Sequence, residues 1–86
     1  MYLISQNSEL IANMDNISDV YISNREYEDD YGYITLWEIR AGYPATSDRL
    51  AKYGSNEKEK CVKQFEAFKR ALLAEEKFFD FGKEIE

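Results

Sequence analysis

Two regimes of apolar spacing divide the chain near Gly54. Before it, apolar and polar residues tend to alternate, as in strands; after it, apolar residues recur three and four apart, as on a helix. At the start, "YLISQ" (Tyr2–Gln6) and "ELIANM" (Glu9–Met14) flank the polar pair Asn7-Ser8, which predicts a hairpin. After Asp15-Asn16, "SDVYIS" (Ser18–Ser23) is rich in β-branched and aromatic residues and places Val20 and Ile22 on one face of a third strand. "YITLWEIR" (Tyr33–Arg40) carries the strongest strand signal of the chain. Parity puts Ile34, Leu36 and Glu38 on one of its faces and Tyr33, Thr35, Trp37 and Ile39 on the other. Apolar residues on both faces predict a central strand, with a helix on one side and aromatics or a partner covering part of the other.

"AGYPATSD" (Ala41–Asp48) holds the only proline and reads as a loop, and "RLAKY" (Arg49–Tyr53) as a short strand with Leu50 inward. From Gly54 a helix of about 18–20 residues is expected. Ser55 or Asn56 suits its N-cap, Asn56 and Glu59 have the spacing of a capping box, and Glu57 and Glu59 complement the helix dipole. Cys61, Phe65, Phe68 and Leu72, widened by Val62, form the predicted apolar stripe, and Lys58, Lys60, Lys63, Lys69 and Arg70 the solvated side. In "EKFFDF", Phe79 and Phe81 share one side of an extended segment, a last strand or a strap over the helix, and Gly82 with "KEIE" reads as a frayed end.

These elements predict one α+β domain over residues 1–86: a mostly antiparallel sheet of about five strands in a meander, with one C-terminal amphipathic helix packed on a face. The expected core is Leu3, Ile11, Val20, Ile22, Ile34, Leu36, Phe65, Phe68 and Leu72. A domain of this length buries only roughly 60–65% of its unfolded surface, so each large apolar residue counts. Truncating Phe65 to alanine is expected to cost roughly 3–5 kcal/mol.

Composition narrows the chemistry. The content of 44% hydrophobic and 33% charged residues, with seven Tyr, five Phe and one Trp, is that of a folding chain rather than a disordered one. A single cysteine cannot form an internal disulfide, and the first ten residues show neither a basic nor an apolar leader region, which together suggest the cytoplasm. The longest helical apolar stretch, around Ala71–Ala74, falls far short of the ~20 residues of a membrane span.

Histidine is absent, which removes the commonest general base, the Ser-His and Cys-His pairs and the imidazole ligands of most metal sites. Cys61 lies near Lys58 and Lys60 in the first helical turns, yet its place on the apolar stripe makes it a core residue. A calcium loop counted from Glu26 would need glycine at its sixth position and glutamate at its twelfth, where Tyr31 and Trp37 stand. Gly32, Gly42, Gly54 and Gly82 sit singly, so no glycine-rich phosphate loop is present. No catalytic residue, cofactor or metal is expected.

The net charge of −6 is unevenly placed: residues 1–44 carry eight acids and two bases, residues 45–86 nine of each. Direct nucleic acid binding is therefore not expected, and encounter with basic surfaces is favoured. The excess peaks in "NREYEDDYGY" (residues 24–33), where Glu26, Glu28, Asp29 and Asp30 interleave with Tyr27, Tyr31 and Tyr33, and Trp37 follows. Three readings stand open: a patch for a protein partner, imitation of a nucleic acid by same-face carboxylates ~7 Å apart, and a plain solvated turn between strands. For the first, the candidate contact residues are Glu26, Tyr27, Glu28, Asp29, Asp30, Tyr31, Tyr33 and Trp37.

"MYLISQNSELIANMDNISDVYI" (Met1–Ile22) and "LAKYGSNEKEKCVKQF" (Leu50–Phe65) resemble small uncharacterised proteins of Firmicutes bacteria and their phages and prophages. That resemblance implies a β-meander closed by one C-terminal helix, a cytoplasmic location and an accessory role. The stretch Asn24–Asp48 lies outside it. The functional expectation is a small acidic, non-enzymatic protein-binding or modulatory protein, most specifically a phage-derived inhibitor of a basic nucleic-acid-binding host defence protein. The alternative is a structural accessory protein that forms homo-oligomers, with Trp37 and Ile39 on an exposed sheet face making a homodimer.

Overall fold

The computed structural model describes residues 1–83; the expected frayed end falls in part on residues 84–86, outside the described residues. The elements in order are β1 (Tyr2–Ile4), β2 (Ile11–Asn13), β3 (Asp19–Asp29), β4 (Gly32–Gly42), β5 (Ser47–Tyr53), α1 (Lys58–Leu73) and β6 (Phe78–Asp80). A single 3-10 turn over Met14–Asn16 joins β2 to β3. The fold is α+β, but the six strands of the described residues form two three-stranded sheets, β2-β1-β6 and β3-β4-β5. The single meander of about five strands is thus corrected, and the helix precedes the last strand.

Leu3 sets the first sheet. It is fully buried and stands opposite Ala12, so Ala12 faces inward with it and Ile11, one position away, points to solvent. Ile11 is therefore not a core residue. Ser5 organises the hairpin connection: its buried hydroxyl donates to Asn7 Oδ1 (2.7 Å) and accepts from the Leu10 N–H (3.1 Å). On the other side of β1, β6 pairs in parallel, with Leu3 opposite Phe79, and the Phe81 N–H donates to the Ile4 carbonyl. Phe79 and Phe81 thus form a last strand and its exit, and their rings meet at 4.9 Å between centroids.

In the second sheet β4 is central, as its two-faced pattern predicts. Ile22 stands opposite Ile39, and Trp37 opposite Tyr53. Between Ile39 and Arg40 the register with β5 shifts, because Ile39 meets Ala51 while Arg40 meets Arg49. Leu50 is the extra residue, and this bulge lets Leu50 and Ala51 both be buried although they are adjacent. Gln6 joins the two sheets: its N–H donates to the Leu50 carbonyl (2.7 Å) and its Oε1 accepts from the Lys52 N–H (2.9 Å).

The helix packs on the face of β4 that carries Ile39 and Ala41, where the core also gathers Leu50, Ala51, Tyr53 and Cys61. Ile34 and Leu36 belong to the opposite face with Glu38, so neither is part of this core, and Ile34 is exposed. The buried line along α1 runs through Cys61, Gln64, Ala67 and Phe68. It is rotated from the expected stripe: Val62 and Leu72 are exposed and Phe65 is half-buried. Phe68 draws the helix round, because its ring contacts Phe65, Phe79 and Phe81 at centroid distances of 6.2, 5.9 and 5.8 Å. The expected capping box between Asn56 and Glu59 does not form. Glu57 takes the N-cap position, and its carboxylate reaches back to the Gly54 N–H (2.8 Å) and takes a bond from Lys60 Nζ (3.1 Å).

Candidate interaction surface

β3 and β4 are eleven residues each, and the helix covers only the part near Ile22 and Ile39. The rest of the hairpin is an arm: every residue from Asn24 to Ile34 is exposed. The segment "NREYEDDYGY" is therefore neither a short turn nor a separate loop. It is the end of β3, the two-residue connection Asp30-Tyr31 and the start of β4. The tip is built locally: Asp29 Oδ1 accepts the Tyr31 N–H at 2.8 Å, and Gly32 follows at φ 121°, a conformation that side chains disfavour.

Register decides which side chains share a face. Glu26 pairs with Thr35 and Glu28 with Tyr33, on the face that leads back through Asn24 and Trp37 to the core. Tyr27 pairs with Ile34 on the reverse face, which Asp29 shares, and Asp30 and Tyr31 occupy the tip. Two of the four carboxylates thus share a strand face, fewer than a run imitating successive phosphates needs. Among the described residues none of the four makes an ion pair, because Arg25, the nearest base in sequence, turns its Nε to Glu38 Oε1 at 3.3 Å. Tyr31 is 98% exposed and Tyr33 77%, so their rings pack on almost nothing.

The structure gathers seven of the eight candidate residues onto this arm and separates the eighth. Trp37 is half-buried against the core, with Lys58 Nζ 4.9 Å from its ring centroid. Ile39 is fully buried. The face proposed for a homodimer through Trp37 and Ile39 is covered by the helix. Sequence reasoning missed Ile34, which adds apolar surface beside Tyr27; counting back from the tip at Asp30-Tyr31 would have paired the two.

On the reverse face, behind the arm, Glu38 is only 2% exposed and sits under three guanidiniums. Arg25 Nε stands 3.3 Å from Oε1 as an ion pair, though Oε1 accepts no hydrogen bond among the described residues, and Oε2 accepts from Arg40 Nη1 at 3.1 Å and Arg49 Nη1 at 3.4 Å. Arg40 is itself fixed by Ser47 Oγ at 3.0 Å. One strand contributes each of Arg25, Arg40 and Arg49, so the cluster clamps all three strands of the sheet across the base of the arm.

Cys61 is fully buried, and burial pushes its thiol up to about 11, so at neutral pH it is protonated and shielded from attack. Among the described residues no three acidic or cysteine side chains converge as metal ligands. None of their helices is long and apolar enough to cross a membrane. Comparison of the chain with protein-family models, with curated proteins and with solved structures finds no match.

Proposed function

We propose that this chain is a small, non-enzymatic protein-binding protein of the cytoplasm, whose β3–β4 arm docks on a basic surface of a partner protein. The observation that carries the reading is the arm itself: an exposed hairpin end with four carboxylates that form no ion pair among the described residues, interleaved with Tyr27, Tyr31 and Tyr33. Unpaired carboxylates steer a positive surface into contact, and exposed tyrosines supply contact area at low conformational cost. Because the clamp at Glu38 braces the base of the arm, the strands are held in register where they leave the core. The most specific form of the proposal is a phage-derived inhibitor that occupies the nucleic-acid-binding surface of a host defence protein. Its support is the sign of the charge; its phage origin rests on the sequence-based expectation that Met1–Ile22 and Leu50–Phe65 resemble small uncharacterised proteins of Firmicutes bacteria and their phages and prophages.

A homo-oligomeric structural role would need a surface other than Trp37 and Ile39. The free edge of β3 is long enough to pair with a second copy, but Glu26, Glu28 and Asp29 would then face the same charges. The test of the preferred reading is capture from bacterial cytoplasm, comparing the protein with a variant in which Glu26, Glu28, Asp29 and Asp30 are all serine. The expected result is a nucleic-acid-binding protein held at low salt by the unaltered chain and lost from the variant. Equal recovery on both would remove the basis of the proposal.

A further inference from the structure

A second feature, on elements other than the arm, has the make-up of a ligand site. A cleft of about 470 Å³ opens between the end of β5, the first two turns of α1 and the segment after β6. Among the described residues, Lys52, Lys60, Lys63 and Lys83 line it against one carboxylate, Glu57, which is already bound by the Gly54 N–H and Lys60. Tyr53 and Phe81, both nearly fully buried, form part of its floor. The described lining thus concentrates positive charge in a chain whose net charge is −6.

Gln64 gives the independent sign. It lines the same cleft, is only 5% exposed, and its amide Nε2 is buried without a hydrogen-bond partner. A buried donor left unpaired costs free energy and is rare in native folds, where such groups are matched by water, an ion or a ligand. On the core side of a helix whose neighbouring buried positions are Cys61, Ala67 and Phe68, a glutamine brings nothing to packing that leucine would not. Its position becomes intelligible if the donor completes a polar site in the cleft.

We infer that this cleft binds a small phosphate-bearing molecule larger than inorganic phosphate, the phosphate held by the lysines and Gln64 and the rest of the molecule resting on the floor that Tyr53 and Phe81 form. Charge selects the anion, because Lys52 and Lys63 form no ion pair among the described residues. The cleft also lies in the range of volumes of small-molecule sites and exceeds what inorganic phosphate alone would fill.

The test uses AMP, ATP and pyrophosphate as probes, with sulfate as a control for bare charge, read by thermal shift and amide chemical shifts. Either nucleotide should raise Tm by about 7–14 °C at ~20 times its Kd. The shifted amides should centre on Lys60, Lys63, Gln64 and Lys83, with pyrophosphate weaker and sulfate weaker still. Lys63→Ala with Lys83→Ala should weaken nucleotide binding at least tenfold while leaving the free protein's Tm unchanged. Gln64→Leu separates binding from folding: it should hold or raise the free Tm and still reduce the nucleotide-induced rise. No response to any probe, a response to sulfate equal to that of the nucleotides, or perturbed amides centred on Arg25, Arg40 and Arg49 would overturn the assignment. So would a Gln64→Leu protein that binds as tightly as the unaltered one.

Discussion

Phe68→Ala tests the packing of the helix against the last strand of the first sheet at one side chain. The side chain is 3% exposed and its ring touches three others, on α1, on β6 and just beyond β6. Removing a buried phenylalanine costs about 3–5 kcal/mol, and aromatic pairs add about 0.5–1.5 kcal/mol each beyond the area they bury, which puts this site near the top of that range. A chain of this length is stable by roughly 4–13 kcal/mol, so the variant sits at the edge of folding. Phe65→Ala should cost less than the sequence-based 3–5 kcal/mol, about 1–2.5 kcal/mol, because Phe65 is half-buried and makes one ring contact. Urea unfolding followed by circular dichroism gives both values, with Phe68→Leu, expected to lose about 1–2 kcal/mol, as the variant sure to fold. A loss at Phe65 equal to or above that at Phe68 would refute the rotated helix face.

Other variants probe other links. Glu38→Gln keeps the shape but leaves three guanidiniums without their anion; breaking a fully buried pair costs about 3–5 kcal/mol, and with Arg25 and Arg49 half in water we expect about 1.5–3 kcal/mol. A loss below 0.5 kcal/mol on the order of experimental error would show that the clamp contributes nothing. Glu75 sits at φ 56° just past the end of α1, so Glu75→Gly should raise Tm by about 2–8 °C, and a fall would contradict the capping geometry. Cys61 should resist alkylation in the native state at pH 8 and react on unfolding. Burial raises its folded pKa from 9.0 to about 11, so the fold binds this proton more tightly than the unfolded chain. The stability it contributes is complete below pH 9 and is lost as pH rises to 11, by roughly 2–3 kcal/mol. A flat stability profile across that interval would contradict the burial.

Local pattern made some of the fold legible and long-range pairing hid the rest. β4 could be read because eleven residues carry apolar side chains on both faces, and α1 because the apolar period changes at Gly54. β6 could not be placed: three residues carry little period, and their partner is a parallel strand at the other end of the chain. The orientation of α1 departs from the apolar stripe because its buried line includes Gln64 and Ala67, which hydrophobicity passes over, and omits Val62 and Leu72. The acidic stretch was legible as charge with interleaved tyrosine. Its division between two faces was not, since that follows from the register fixed at Asp30-Tyr31. The clamp at Glu38 is not legible in the sequence because Arg25, Arg40 and Arg49 come together only once three strands are aligned.

The arm carries the functional account, and amide hydrogen exchange on the protein alone and bound to its captured partner tests it most directly. The account predicts new protection concentrated in residues 24–36 of the β3–β4 hairpin, with the aromatic cluster around Phe68 unchanged. Protection elsewhere, with the arm exchanging as fast in the complex as when free, would contradict it.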